Sequence, residues 1–233
     1  GIPRHKRLVN GEHGYFKLIE NDNFDTKYLQ DNIGKIWMVN QLAHKPYPSG
    51  RLTHGLVHAI KDLKSKYGLN KDEINSIECL VPPGVYKLVA RPLIDNLTTN
   101  YAKLCAKFVG ASYMINGHLD IDSFTNQKYL TNSETLEFAR KITMIKNENL
   151  DQKVLTPQKF TVKLTNNKTI EINLDHVYGH PKAALSESEY LDKFHKCCLS
   201  STKKIPKNKI DQMIDFILDL ENKKNVIDFF KII

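Results

Sequence analysis

Residues 159–175, KFTVKLTNNKTIEINLD, constrain the fold of this chain more than any other stretch. Phe160, Val162 and Leu164 alternate with polar residues, Asn166 and Asn167 supply turn chemistry, and Ile170, Ile172 and Leu174 alternate back. Side chains on a strand point to opposite faces in turn, so this pattern predicts a β-hairpin with one buried face. Such a face needs a second layer to cover it. Residues 53–70, THGLVHAIKDLKSKYGLN, offer one: Leu56, Val57, Ile60, Leu63 and Tyr67 recur at the three- and four-residue steps of an amphipathic helix, which Gly68 and Asn70 stop. The chain is read as α+β.

The remaining elements fill in around that pair. Residues 71–83, KDEINSIECLVPP, read as a turn leading into a strand that ends at Pro82 and Pro83. Residues 98–119 predict a second helix ending at Gly117, and its small residues Ala102, Ala106, Gly110 and Ala111 predict close packing on another element. Residues 134–150, ETLEFARKITMIKNENL, give a short helix and then a strand. The Trp37 end of residues 31–43 reads as strand-like. Ser186 and Glu189 have capping-box spacing at a helix start. Farther on, Ile210, Met213, Ile214, Ile217 and Leu220 form one helical stripe. No internal repeat or low-complexity segment is visible.

Composition narrows the function classes. Hydrophobic residues make up 41% and charged residues 26%, which excludes wholesale disorder. No apolar run approaches the ~20 residues of a membrane span, so no membrane partner is expected. The net charge is +8, with lysines spread along the chain, and suits an acidic small molecule, nucleic acid or an anionic surface. The basic runs near the C-terminus (STKK, KNK, NKK) lack interleaved aromatics, so nucleic acid is not the expected partner. Cys79, Cys105, Cys197 and Cys198 have no metal-type spacing and form no disulfide framework, which points to a reducing compartment, with the cytoplasm expected and an organelle as the alternative, and with Cys105 in a core. His54 and His58 are four apart and could share a zinc ion, but no third ligand follows, and no metal is expected. His176 and His180, on either side of Gly179, read as surface or structural residues. Glu12 and His13, near the start, are weaker acid–base candidates.

Residues 45–54, KPYPSGRLTH, are dense with chemistry for so short a loop. Pro46 and Pro48 fix their own φ and push Lys45 and Tyr47 to extended conformations, making a stiff strut. Gly50 permits a sharp turn or a close approach to a ligand. Ser49 or Thr53 can cap the following helix, whose amino end carries unpaired N–H groups and the positive end of its dipole. Arg51 offers a fork for a carboxylate, Lys45 a point charge, and His54 a group that titrates near neutral pH. The combination reads either as an anion receptor with proton-transfer groups or as a stiffened loop-to-helix connection.

With GLVHAIKDL after it, this loop resembles the central motif of the MmgE/PrpD family, which includes 2-methylcitrate dehydratase, cis-aconitate decarboxylase and iminodisuccinate epimerase. Three further blocks are similar in order: VNGEHGYFKLI, YAKLCAKFVGASYMINGHLDIDSF and VYGHPKAALSESEYLDKF. The resemblance implies a helical domain and an inserted α+β lid with the active site between them. Residues 1–44 would be a linker from a preceding helical half, 45–180 the lid, and 181–233 the returning helices. It further implies a homodimer, no cofactor, and a small polycarboxylate substrate from which a proton is moved next to a carboxylate. Lys45 and His54 are then the catalytic candidates, and Ser49, Gly50 and Arg51 the substrate-binding ones. Two positions depart from the family's pattern: His58 stands where an acidic residue is common, and Gly50 where some members have cysteine or histidine. The opening at Gly1 implies that the family's first helical half is missing, so a split-enzyme subunit, a non-catalytic fragment or an epimerase are the alternatives to a lyase.

Overall fold

The computed structural model describes residues 14–21 and 25–232. Gly1, Gly11, Glu12 and His13 lie outside the described residues. The chain divides into two compact units, Gly1–Leu42 and Ala43–Ile233.

In the first unit, α1 spans Tyr15–Glu20 and ends at Asn21, whose φ of 55° is left-handed, and α2 spans Thr26–Asn32. The strand expected at the Trp37 end is instead a 3-10 turn, Met38–Gln41. β-propensity expresses itself only against a neighbouring strand, and this apolar segment pairs with none of the described strands.

The second unit contains the sheet. Helix α3 (His54–Ser65) follows a 3-10 turn, Arg51–Thr53. A capping box between Asn70 and Glu73 turns the chain into β1 (Ile74–Val81), and Pro83 then opens α4 (Pro83–Val89). Short helices α5 (Thr99–Ala102) and α6 (Ala106–Asn116) follow, then α7 (Asp122–Thr125), α8 (Gln127–Leu130) and α9 (Ser133–Arg140). Strands β2 (Ile142–Lys146), β3 (Gln158–Leu164) and β4 (Thr169–Leu174) complete the sheet in the order β2-β1-β3-β4. Helices α10 (Glu187–Leu199) and α11 (Lys207–Leu218) follow, and after them come two 3-10 turns, Leu220–Asn222 and Val226–Lys231.

The hairpin forms as its alternation predicts, with Phe160 opposite Ile172 and Val162 opposite Ile170. β1 joins it antiparallel and takes β2 parallel on its other edge. A register shift between Ile74 and Ser76 lets Ile74 share the buried side with Ile77 and Cys79, which a strict period of two would forbid. That face packs on α3 and α6 in one core holding Leu56, Ile60, Ile77, Phe160 and Val162. Gly110 is what lets α6 approach α3: a Cβ there would stand 2.7 Å from Leu56 Cδ2 and 2.9 Å from Ile60 Cδ1.

The single helix expected over residues 98–119 is two. Cys105 adopts an extended conformation (φ −95°, ψ 97°) and bridges Ala90, while the Lys103 carbonyl accepts from Gly50 N–H. Bonds to residues distant in sequence thus replace the intrahelical ladder. Cys105 is buried in the second core, beside Phe108 and Phe124.

Candidate active site

The proline-braced strut ends against the amino end of α3, and its side chains are held in a continuous chain of bonds. Gly50 N–H donates to the Lys103 carbonyl at 2.9 Å, and a Cβ on Gly50 would stand 2.6 Å from Leu104 Cδ2. The glycine therefore serves close backbone packing. Neither Ser49 nor Thr53 caps α3. Their hydroxyls meet at 3.0 Å, and Thr53 Oγ1 donates to the Gly50 carbonyl at 2.8 Å, locking the 3-10 turn that precedes the helix.

Arg51 turns away from solvent. One Nη donates to the Tyr178 carbonyl (2.5 Å) and the other to the Val177 carbonyl (3.1 Å). The fork shaped for two carboxylate oxygens is filled by two peptide oxygens more than a hundred residues away. His54 is fully buried, its Nδ1 3.3 Å from Arg51 Nη1 and its ring edge-on to Tyr47 at 5.3 Å between centroids. Burial, reinforced by the charges of Arg51 and Lys45, drives its pKa down to about 3. It is a neutral imidazole at physiological pH, not the neutral-range titrating group its residue type suggests.

Beyond Arg51 the turn at residues 177–179 is a structural junction. Tyr178 N–H donates to His58 Nδ1 at 3.2 Å, and burial lowers the His58 pKa. His54 and His58 thus face different partners, although four residues apart on one helix. Gly179 has a φ of +92°, and a Cβ there would lie 2.1 Å from the His44 carbonyl oxygen. Gly179→Ala is expected to destabilise the protein by about 2–4 kcal/mol, since a left-handed backbone and a clash with backbone act together. A urea midpoint within error of wild type would show that this junction is not held as described.

Lys45 stands on the solvent side of the strut and lines a cleft of about 420 Å³. Ser49, Gly50, Arg51 and His54 do not line it. Lys61 from α3 and Lys193 and Lys196 from α10 supply further cations to its walls, and Glu189, Asp192 and Asp120 supply carboxylates. Tyr47, Tyr113 and Tyr178 add aromatic surface, with Tyr47 and Tyr113 edge to face at 5.7 Å. Burial and the neighbouring Tyr113 raise the Tyr47 pKa, so its phenol stays protonated.

Three bonds hold α10 against this wall. Lys61 Nζ pairs with Glu189 Oε1 at 2.9 Å and sits 4.1 Å above the Tyr178 ring. Lys193 Nζ donates to the Lys45 carbonyl, and Tyr190 OH shares a 2.6 Å hydrogen bond with His44 Nδ1. Partial burial works to raise the Glu189 pKa, but the Tyr178 side chain, the Ser186 N–H and hydroxyl, and Lys61 outweigh it and hold it at about 2. Glu189 therefore completes the α10 capping box and anchors the helix to α3 at once.

Sequence reasoning gave no role to Lys61, Lys193 or Lys196, which sit on ordinary polar helix faces. Lys61 nevertheless lies in the block GLVHAIKDL, and Tyr178, Glu189 and Lys193 lie in VYGHPKAALSESEYLDKF, so only Lys196 falls outside the matching blocks. Residues 47–217, well over half of the chain, match the MmgE/PrpD C-terminal domain. The chain belongs to the MmgE/PrpD family. Members of this family are generally enzymes. The matched segment holds Arg51, His54, Lys61, Tyr178, Glu189 and Lys193, and begins two residues after Lys45. Among curated proteins none matches the chain. No helix among the described residues is long and apolar enough to cross a membrane.

Proposed function

We propose that this chain carries the substrate-facing lid of a lyase that acts on a small di- or tricarboxylic acid, of the dehydratase or decarboxylase type. The observation that carries the proposal is Lys45, exposed on a rigid strut and lining a cleft with three further lysines. Removing a proton next to a carboxylate builds enolate-like charge on that carboxylate. A fixed ammonium at that position stabilises the charge as it grows, and the same group can carry the proton. A cleft of about 420 Å³ falls in the range of small-molecule sites.

In this proposal Lys45 works at the substrate, while Arg51, His54, Ser49 and Gly50 hold the strut and the Tyr178 turn in position. Residues 45–180 form the lid and 181–233 the returning helices. The helical half of the enzyme, from the same protein or another chain, covers the second face of α10 and α11, and the enzyme works as a homodimer in the cytoplasm without a cofactor. In support, an apolar groove of about 350 Å³ runs along those helices, lined by Leu191, Phe194, Met213, Ile214, Ile217 and Leu218.

Deuterium uptake tests the reaction class. Small di- and tricarboxylic acids incubated with the enzyme in D2O are expected to exchange, or to eliminate water or carbon dioxide, at a carbon next to a carboxylate, followed by proton NMR. A panel that shows neither exchange nor product sinks the proposal.

A further inference from the structure

We infer that the cleft selects dianions: it favours a small dicarboxylate over tri- and monocarboxylates, receives it on Lys45 and Lys193, and owes this limit to Glu189 and Asp192. The inference rests on the reading above, that the cleft takes a carboxylate substrate.

Four lysines line the cleft, but two of them are already neutralised. Lys61 is paired with Glu189 at 2.9 Å, and Lys196 with Asp192 at 3.1 Å. Glu189 titrates at about 2, so it stays ionised at any working pH and keeps Lys61 compensated. Lys45 and Lys193 have no carboxylate within ion-pair distance among the described residues. They are also neighbours, since Lys193 Nζ donates to the Lys45 carbonyl, a neutral acceptor that leaves its charge unbalanced.

The remaining wall argues against a third carboxylate. Asp120 accepts from Ser123 N–H and Oγ and lies 3.3 Å from His118, so it contributes another negative charge to the lining. Leu119 and Leu185 beside it offer apolar surface. An anion carrying a third carboxylate would meet Asp120, Glu189 or Asp192 without a free cation to answer it, and like charges that meet at a site are a recognised means of excluding ligands. A monocarboxylate would leave one of the two free ammonium groups unanswered.

Titration with three probes of related skeleton tests this: succinate, tricarballylate and butyrate, at pH 7.5 and constant ionic strength, by calorimetry. Succinate is expected to bind at least about tenfold tighter than either of the others. Asp192→Asn and Glu189→Gln each free one lysine, and each is expected to shift the tricarballylate-to-succinate affinity ratio by about tenfold in favour of the trianion. Asp192 lines the cleft with a side chain that is 72% exposed and bonds, among the described residues, only to Lys196 on the same helix, so its variant reads charge without threatening the fold. Tricarballylate binding as tightly as succinate, or a ratio unmoved in both variants, overturns the inference and leaves the carboxylate site standing. If no probe binds and Lys45→Ala behaves like wild type, the carboxylate site itself falls, and the inference with it.

Discussion

Lys45→Ala is expected to lower turnover by about 10²–10⁴-fold, the range for removing a group that moves a proton or meets charge in the transition state. The loss should appear chiefly in kcat, because an interaction that strengthens as charge develops contributes more to the transition state than to the bound ground state. Misfolding is a poor competing explanation. The side chain is exposed and bears on no core cluster, and the bond to α10 is made by its main-chain carbonyl, which alanine keeps. Lys45→Arg separates the two possible duties of the residue. Arginine retains the positive charge but does not release a proton in the working range, so binding should survive while turnover stays low. Steady-state kinetics of the three proteins, with far-UV circular dichroism to confirm the fold, decides the matter. Turnover of Lys45→Ala within about twofold of wild type removes this lysine from the chemistry.

Local patterns in the sequence translated into structure wherever the deciding contacts are themselves local. The hairpin turns at Asn167, whose φ of 65° is the left-handed conformation asparagine tolerates, and the two strands present their apolar residues to one side. The Ser186–Glu189 capping box forms as spaced, and α3 buries Leu56, Val57, Ile60 and Leu63 of its predicted stripe, while Tyr67, the stripe's last residue, lies past the end of the helix and is exposed. Failures came where distant parts of the chain compete for the same groups. Arg51 looked like a carboxylate fork because nothing in its neighbourhood reveals that the carbonyls of Val177 and Tyr178 would fill it. Thr53 failed for a different, local reason: it looked like a helix cap, yet its hydroxyl bonds back to the Gly50 carbonyl three residues earlier and a 3-10 turn takes the capping position. The cleft itself was only half legible. Lys45 announces itself through its prolines, but Lys61 and Glu189 are 128 positions apart and meet only because α10 returns to α3. A site assembled from helices at opposite ends of a unit leaves no periodicity for sequence reasoning to follow.

His54 sets the acid limit of the fold. In the unfolded chain an imidazole titrates near 6.5, whereas in the folded protein burial, with Arg51 and Lys45 nearby, brings His54 down to about 3. Between those values the unfolded state holds the extra proton, so stability rises with pH across the interval, is fully present above it, and is lost as pH falls through it. Each pH unit inside the window is worth at most about 1.4 kcal/mol, so acidification from pH 7 to pH 4 is expected to remove roughly 3 kcal/mol through this residue. His58, whose pKa is lowered in the same direction, adds to the slope and does not oppose it. Urea unfolding at pH 8, 6, 5 and 4 measures the effect, and His54→Asn, which cannot take up a proton, should flatten the curve between pH 6 and 4 even though it lowers stability at pH 8. The imidazole proton resonances give a second reading that does not depend on the variant folding well: the His54 signals should not move between pH 8 and 5. Parallel stability curves for the wild type and His54→Asn, or a His54 resonance that titrates near 6.5, would mean the ring is not sealed behind Tyr47 and Arg51, and the rigid backing assigned to the Lys45 strut would go with it.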